Sequence, residues 1–237
     1  MEPIQINGPW QSEITEEQLR FTEALYDAQI NYWDDCFQRF IERLQEEGEL
    51  KNTLIIILGD HGEEFYDHKG FGHGYTLYEE MLRVPLYIIY EEHVPPNQVW
   101  TEPVQLIDVF PSICYFANID SKNLFLQGNN FFCPEYKKLN SKKIIYAETD
   151  LGKVPRSVQT ERYKLIYNSK SDNFEFYNRN RDPEEKSDRY KDNNSQKRKL
   201  KSSLLKIIDF YNNQDRAKPR KLDKETIEQL RSLGYIK

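Results

Sequence analysis

The stretch LIIILGDHGEEFYDHKGFGHG, residues 54–74, joins a continuous apolar run to a loop rich in histidine, acid and glycine. Because the apolar run does not alternate with polar residues, it predicts a strand buried on both faces, as in a parallel sheet covered by helices. In such sheets functional groups gather just beyond the carboxyl ends of the strands, where Asp60 and His61 lie. The stretch therefore predicts both a fold class and a candidate site.

The segments on either side of this stretch predict an α/β architecture. A T-x-x-Q capping box at Thr15 precedes apolar residues spaced by three and four, which predicts a long amphipathic core-packing helix that ends near Gly48. The run VPLYIIY, residues 84–90, predicts a second buried strand, and residues 104–119 predict a short helix. Helix, strand, loop, strand and helix in this order indicate a partial parallel or mixed sheet flanked by helices.

From about residue 140 the sequence changes to short strand candidates separated by turn residues. The run SSLLKIIDFY, residues 202–211, predicts an amphipathic helix that covers the sheet formed by these strands. The polar residues 178–197 predict a surface loop. The strand candidates predict a small antiparallel sheet and lie at residues 144–148, 157–161, 164–167 and 174–177.

The change in sequence pattern near residue 140 predicts two parts of the chain. Residues 1–135 are predicted to form one α/β region, and residues 136–237 a small C-terminal α+β subdomain. A last helix is predicted near the end of the chain, with Asp223 as its N-cap and Gly234 as its stop.

Composition and charge exclude several classes of protein. The net charge is −6 and no basic stripe is present, which argues against nucleic-acid binding. The longest apolar run is far below the length of a transmembrane segment. Residues after Met1 carry no secretory signal, which taken literally predicts a cytoplasmic protein. If Met1 is not the true start, a periplasmic or secreted location stays open for the full protein.

The histidine-rich loop carries the side chains that suggest chemistry. The carboxylate of Asp60 and the imidazole of His61 are both good ligands for a divalent cation. His73 lies between two glycines, where the chain can approach an anionic group closely and offer a charge-assisted hydrogen bond or a proton. Glu63 and Glu64 are candidates to orient an imidazole. The residues alone leave two alternatives open, a metal site and an ordinary loop.

The ordered motifs of this region resemble the second half of a sulfatase of the alkaline phosphatase superfamily. Members of that family show a buried strand followed by the motifs D-H-G-E, a G-x-G turn, Y-E-E and R-V-P-L. The resemblance extends to the neighbouring helices, the C-terminal strands and the tail LDKETIEQLRSLGY, and it covers about residues 15–237. The motifs themselves lie at residues 60–63, 72–74, 78–80 and 83–86.

The resemblance implies a role for each residue of the loop. Asp60 and His61 are implied to be two ligands of a single divalent ion, usually calcium in sulfatases, with magnesium and manganese as alternatives. His73 is implied to be a catalytic and substrate-binding residue that contacts the sulfate or assists the leaving group. His68 is implied to be a further substrate contact.

The nucleophile of the family does not occur in the printed sequence. Sulfatases carry it as a Cys or Ser in C/S-x-P-x-R, matured to formylglycine, and none of Cys36, Cys114 or Cys133 has this context. The early pair of aspartate ligands is also absent. The chain therefore resembles a C-terminal portion, with formylglycine expected only in the N-terminal part, which is a possible partner as a separate chain. We expect the chain alone to lack sulfatase activity, to bind metal weakly and to expose apolar surface and sheet edges.

Three functions remain open from the sequence. The first is a sulfuric ester hydrolase acting on a sulfate ester of unknown identity. The second is a phosphate or phosphonate ester hydrolase, or a phosphoethanolamine-type transferase, of the same superfamily. The third is a non-catalytic remnant or binding module. The identity of the nucleophile separates the first two.

Overall fold

A computed structural model describes most of the chain, from the start of the first helix to a short segment near the C-terminus. One predicted feature, the helix stop at Gly234, lies outside the described residues. The predicted N-cap is confirmed, because the Asp223 Oδ1 accepts a hydrogen bond from the Thr226 amide at 2.8 Å. The described residues are 14–91, 93–121, 124, 126–136, 144–150, 154–213, 223 and 226–229.

The first helix, α1 (Glu16–Glu46), begins at the predicted capping box. The Thr15 hydroxyl accepts from the Gln18 amide at 3.2 Å, and the Gln18 side chain accepts from the Thr15 amide at 3.0 Å. The helix ends before Gly48, which has a φ of +74°. The expected core-packing role is wrong for the described structure, which buries no residue of α1. Its apolar face is covered only in part: the Tyr26 ring lies 5.1 Å from that of Phe65, whereas Ile30 and Trp33 stay about half exposed.

Two strands flank the histidine-rich loop, β1 (Ile55–Leu58) and β4 (Leu86–Ile89). They pair with each other in antiparallel register, with Ile55 opposite Ile89 and Leu58 opposite Leu86. The expected parallel pairing is therefore not formed by the described residues. Residues 59–85 between the strands form a short hairpin and one helical turn, Glu79–Leu82, in place of the crossover helix that usually joins parallel strands. The prediction that these strands are buried on both faces is also wrong, since Tyr87 of β4 is 63% exposed.

The loop between these strands has secondary structure of its own. The two short strands β2 (Glu64–Phe65) and β3 (Phe71–Gly72) form a hairpin, with Glu64 opposite Gly72. A single helical turn, α2 (Glu79–Leu82), leads into β4. The predicted helix after β4 is confirmed as a 3-10 turn at Leu106–Asp108 followed by α3 (Val109–Phe116).

The C-terminal strands form the predicted small sheet. The strands are β5 (Ile145–Glu148), β6 (Pro155–Gln159), β7 (Tyr163–Asn168) and β8 (Asn173–Asn178). Each pairs antiparallel with the next. The covering helix α4 (Ser195–Asn213) begins earlier than predicted and packs on β6 and β7. Leu200 and Leu204 of α4 join the core side chains Val158, Leu165 and Phe176.

The class predicted from the sequence is confirmed as a mixed α/β structure with a small antiparallel sheet and helix. The division after residue 135 stays a prediction, since residues 137–143 lie outside the described part of the chain. Across the described ranges, no helix is long and apolar enough to span a bilayer.

Candidate active site

The D-H-G turn directly follows β1 and is held against α2. The Gly62 amide donates to the Met81 carbonyl at 2.9 Å. A Cβ atom on Gly62 would lie 1.7 Å from the Glu80 carbonyl oxygen. Only glycine therefore allows this close approach of the turn to α2, and the turn fixes where Asp60 and His61 lie.

Asp60 and His61 present their ligand atoms side by side. The His61 Nδ1 lies 2.9 Å from the Gly62 carbonyl oxygen, which can only accept a hydrogen bond. The Nδ1 therefore donates, and the lone pair of neutral His61 is on Nε2. This Nε2 lies 3.8 Å from the Asp60 Oδ1. Two atoms at this separation can share one divalent ion at bond lengths of about 2.0–2.6 Å. Both side chains are exposed, and so are open to a ligand.

His73 lies beside this pair. Its ring stacks on that of His61, with centroids 4.2 Å apart. Its Nδ1 lies 3.0 Å from the Glu63 carboxylate and donates to it, so Nε2 is the nitrogen available to an external group. The flanking Gly72 and Gly74 have φ of +88° and +87°, the left-handed conformation that glycine adopts without strain.

Of the two acids expected to orient an imidazole, Glu63 makes that contact and Glu64 does not. Glu64 is buried and organises the backbone of the loop instead. Its carboxylate accepts from the His68 amide at 3.0 Å, from the Gly70 amide at 2.7 Å and from the Thr76 hydroxyl at 3.1 Å. Glu64 therefore sets the shape of the hairpin that leads to His73.

The contacts of His68 are not with Asp60 and His61 but with more distant residues. Its Nδ1 lies 2.6 Å from the Glu80 carboxylate, and its Nε2 lies 2.9 Å from the Glu185 carbonyl oxygen. Its ring stacks on Tyr78 with centroids 3.6 Å apart, and only 11% of the side chain is exposed. Its implied role as a substrate contact stays a prediction, whereas its contacts are those of a residue packed between two parts of the protein.

Glu64, His68 and Glu80 form a second candidate ligand group, with ligand atoms within 4.8 Å of one another. The oxygens of Glu64 already accept three hydrogen bonds. The distance of 2.6 Å from the His68 Nδ1 to the Glu80 Oε1 is that of a charge-assisted hydrogen bond. A shared proton therefore fits these atoms better than an ion, and Asp60 with His61 is the better candidate metal site.

A buried ion cluster behind the loop was not predicted from the sequence. The Lys164 Nζ lies 2.9 Å from the Glu185 carboxylate and 3.2 Å from that of Glu79. The Arg179 guanidinium lies 2.6 Å from Glu79. Glu79 belongs to α2, whereas Lys164 belongs to β7. The cluster therefore joins the site region, residues 14–136, to the C-terminal sheet. Glu185 lies within residues 178–197, the segment predicted as a polar surface loop.

The two carboxylates of this cluster differ in their electrostatics. Burial raises the pKa of Glu185, and the nearby Lys164 only partly offsets this effect. Burial also raises the pKa of Glu79, but the charges of Lys164 and Arg179 outweigh it and leave that pKa below its ordinary value. The Glu185 Oε1 has no hydrogen-bond partner among the described residues. The surroundings therefore favour the charged form of Glu79 more strongly than that of Glu185.

Further contacts hold the site loop on the C-terminal sheet. The Thr149 hydroxyl, just after β5, donates to the Gly74 carbonyl at 2.7 Å. The Tyr78 hydroxyl donates to Glu175 of β8 at 2.7 Å. The G-H-G turn and α2 are therefore both supported by the C-terminal region.

Known proteins share sequence with much of this chain. The family model described as Sulfatase matches residues 13–119. An arylsulfatase of Clostridium perfringens is 26% identical over 176 residues, which cover 73% of this chain and 36% of that protein. The uncharacterized sulfatase YidJ of Escherichia coli is 31% identical over 171 residues, 70% of this chain and 33% of YidJ. The chain thus spans about a third of the length of these relatives.

Solved structures share the fold. BT4656 in complex with its substrate D-glucosamine-2-N,6-O-disulfate aligns with a TM-score of 0.66 at 22% identity, over 77% of this chain and 39% of that one. The phosphonate monoester hydrolase of Silicibacter pomeroyi aligns with a TM-score of 0.67 at 19% identity, over 86% of this chain and 43% of that one. Residues 13–119 therefore match the sulfatase family in sequence, and the chain shares its fold with the solved sulfatase and phosphonate monoester hydrolase structures.

Proposed function

We propose that residues 60–73 supply part of the active site of a metal-dependent sulfuric ester hydrolase. The observation that carries the proposal is the arrangement of Asp60, His61 and His73. Two ligand atoms lie 3.8 Å apart on an exposed turn, and a third polar side chain stacks against them. The substrate class is a sulfate ester, and its identity is left open.

Asp60 and His61 fit a divalent ion as two of its ligands. Their carboxylate and imidazole donors are accessible, and the hydrogen bond to Gly62 orients the imidazole with Nε2 as the ligand atom. When bound, the ion would neutralise charge on the sulfate oxygens. We propose calcium, with magnesium and manganese as alternatives. Calcium takes about six to eight oxygen ligands, so most of the ligands come from outside this pair.

His73 is the proposed contact to the sulfate or to the leaving oxygen. Glu63 accepts from Nδ1 at 3.0 Å, which fixes the ring and increases the basicity of Nε2. A protonated Nε2 can donate a hydrogen bond to an anionic oxygen, or transfer its proton to a leaving group. Glu63 thus supports the proposed role of His73.

The nucleophile is proposed to come from a polypeptide segment with the C/S-x-P-x-R motif, in which formylglycine is expected. Such a segment needs an apolar surface to pack against. The site region offers one on α1 and on β4, where Ile30, Trp33 and Tyr87 are exposed. This surface supports a partner or segment that completes the site.

A second candidate function is hydrolysis of a phosphate or phosphonate ester, or a phosphoethanolamine-type transfer. The fold similarity to a phosphonate monoester hydrolase favours it. Sulfate and phosphate esters are both tetrahedral anions, so the same ion and histidine can serve either. A third candidate, a non-catalytic remnant or binding module, is opposed by the ordered arrangement of Asp60, His61 and His73.

The test is reconstitution of the chain with a sulfatase segment that carries C-x-P-x-R. We expect no turnover of 4-nitrophenyl sulfate by the chain alone, and turnover by the assembly in the presence of calcium. Asp60→Asn should lower kcat/KM by roughly 100-fold or more, because a metal ligand is lost. The matched control is Asp34→Asn on the exposed face of α1, which makes the same charge change away from the site.

Each outcome of this test discriminates between the candidates. Unchanged sulfate turnover in Asp60→Asn would contradict the proposed metal site. Preferred turnover of 4-nitrophenyl phosphate would favour the second candidate. An assembly that forms and hydrolyses neither ester would favour the third.

A further inference from the structure

The His68 ring lies between two groups that can only accept hydrogen bonds. The Glu80 carboxylate lies 2.6 Å from Nδ1, and the Glu185 carbonyl oxygen lies 2.9 Å from Nε2. A neutral imidazole carries one proton and one lone pair, so it can satisfy only one of these acceptors. Both contacts together require a proton on each nitrogen, and hence a positively charged ring.

The two acceptors belong to different parts of the chain. Glu80 is in α2, and Glu185 lies in the turn that follows β8. That turn is fixed by the Asp182 carboxylate, which accepts from the Lys186 amide at 3.0 Å and from the Ser187 amide at 2.8 Å. His68 itself lies in the hairpin loop that leads to His73. The ring therefore bridges the site loop, α2 and the C-terminal region.

We propose that His68 is a positioning residue, an imidazolium clasp whose two protons hold the site loop, residues 64–74, against α2 and the Glu185 turn. Loss of either proton turns a lone pair toward an acceptor and breaks one of the two contacts. The placement of the G-H-G turn therefore depends on the proton occupancy of His68. The clasp is a property of the folded chain and stands independently of the reaction proposed for the complete site.

The surroundings of His68 favour the charged ring. Burial lowers its pKa, but the hydrogen bonds to Glu80 and to the Glu185 carbonyl, with the charge of Glu80, outweigh burial and the opposing charge of Lys186. The pKa therefore lies above that of an ordinary histidine. The stacked Tyr78 ring adds a cation–π contact. The titratable or charged groups around the ring are Glu64, Tyr78, Glu80, Glu185 and Lys186.

The direction of the pH dependence follows from this shift. A group whose pKa is raised on folding contributes stability that is fully present below its unfolded pKa. The contribution is lost as the pH rises through the folded pKa. The clasp is therefore fully closed below the pH at which an unfolded histidine titrates, and it opens as the pH rises through the higher pKa of the folded state.

The first test is the protonation state of His68 in the full chain, read from the ¹⁵N chemical shifts of its ring nitrogens at pH 7. We expect both nitrogens to be protonated. His93, which lies in an exposed loop with its Nδ1 beside the Glu91 carbonyl, is the internal comparison. A lone pair on either nitrogen of His68 at this pH would overturn the proposal.

The second test compares His68→Gln with the control His93→Gln in thermal unfolding from pH 6 to pH 9. In the wild type and the control, the midpoint should fall as the pH rises. In His68→Gln this fall should be smaller by roughly 2–4 °C, the shift expected for one charged contact in a chain of this size. An identical pH dependence in both variants would contradict the clasp.

Glu80→Gln is the second variant, in case His68→Gln does not fold. It keeps an acceptor oxygen but removes the negative charge that favours the imidazolium. The titration of His68 should then move to lower pH, while that of His93 stays unchanged. A His68 titration that does not move would show that Glu80 does not hold the proton.

Discussion

The C-terminal unit, β5–β8 with α4, completes its own core, whereas the site region, residues 14–136, does not. Val158, Leu165 and Leu204 in the C-terminal unit are fully buried. On α1, by contrast, Ile30 and Trp33 remain about half exposed, and no residue of the helix is buried. The region carrying the candidate site therefore leaves apolar surface exposed on α1, which is the surface that the proposed additional segment would cover.

The ion cluster around Lys164 should show the largest effect, because it joins the two regions. Lys164→Ala leaves Glu185 and Glu79 without their shared cation in a buried setting. We expect a loss of about 3–5 kcal/mol in the free energy of unfolding, measured in urea. The control is Lys170→Ala in the exposed turn between β7 and β8. Equal stability of the two variants would show that the cluster does not hold the regions together.

Two adjacent leucines of α4 test whether the C-terminal core is closed. Leu204 is fully buried, whereas Leu205 is 45% exposed. Leu204→Ala should lower the free energy of unfolding by about 2–5 kcal/mol through lost burial and a cavity. Leu205→Ala should change it by about 0.5 kcal/mol or less. Similar losses from both variants in urea denaturation would mean that the core is not packed as described.

Gly62 tests how tightly the site turn is held on α2. Gly62→Ala places a Cβ atom against the Glu80 carbonyl and should lower the free energy of unfolding by about 1–3 kcal/mol. The changes in an amide NMR spectrum should be confined to residues 59–83 and spare β5–β8. A spectrum like that of the wild type would contradict the close contact.

The exposed face of α1 should give the smallest effect on stability. Ile30→Glu should change the free energy of unfolding by about 0.5 kcal/mol or less, because the side chain buries little surface in the chain alone. It should reduce self-association in sedimentation velocity, since it interrupts an exposed apolar face. A large loss of stability would show that α1 packs within the chain after all.

Local sequence patterns predicted the elements that local interactions determine. The capping box at Thr15 located the start of α1, and the short runs between turn residues located all four C-terminal strands. The sequence did not predict the antiparallel pairing of β1 and β4. A continuous apolar run indicates that a strand is buried, but it carries no information on the direction of the neighbouring strand.

The candidate site divides in the same way. Asp60, His61 and His73 are close together because they lie on one short loop, and their spacing in sequence indicated a site. The contacts of His68 and Lys164 with Glu185 join segments far apart in sequence, and no local pattern encodes them. The sequence therefore predicts His68 only as a substrate contact implied by the family resemblance, and Glu185 only as part of a polar surface loop, although both side chains are buried or nearly so.

Amide hydrogen exchange across the whole chain tests the contrast between the two regions most directly. We predict that the amides of β6, β7 and α4 exchange only through global unfolding. The amides of α1, β1 and β4 should exchange through local opening, at free energies well below the global value. Uniform protection of both regions in the chain alone would contradict the account, because it would mean that the site region is already complete.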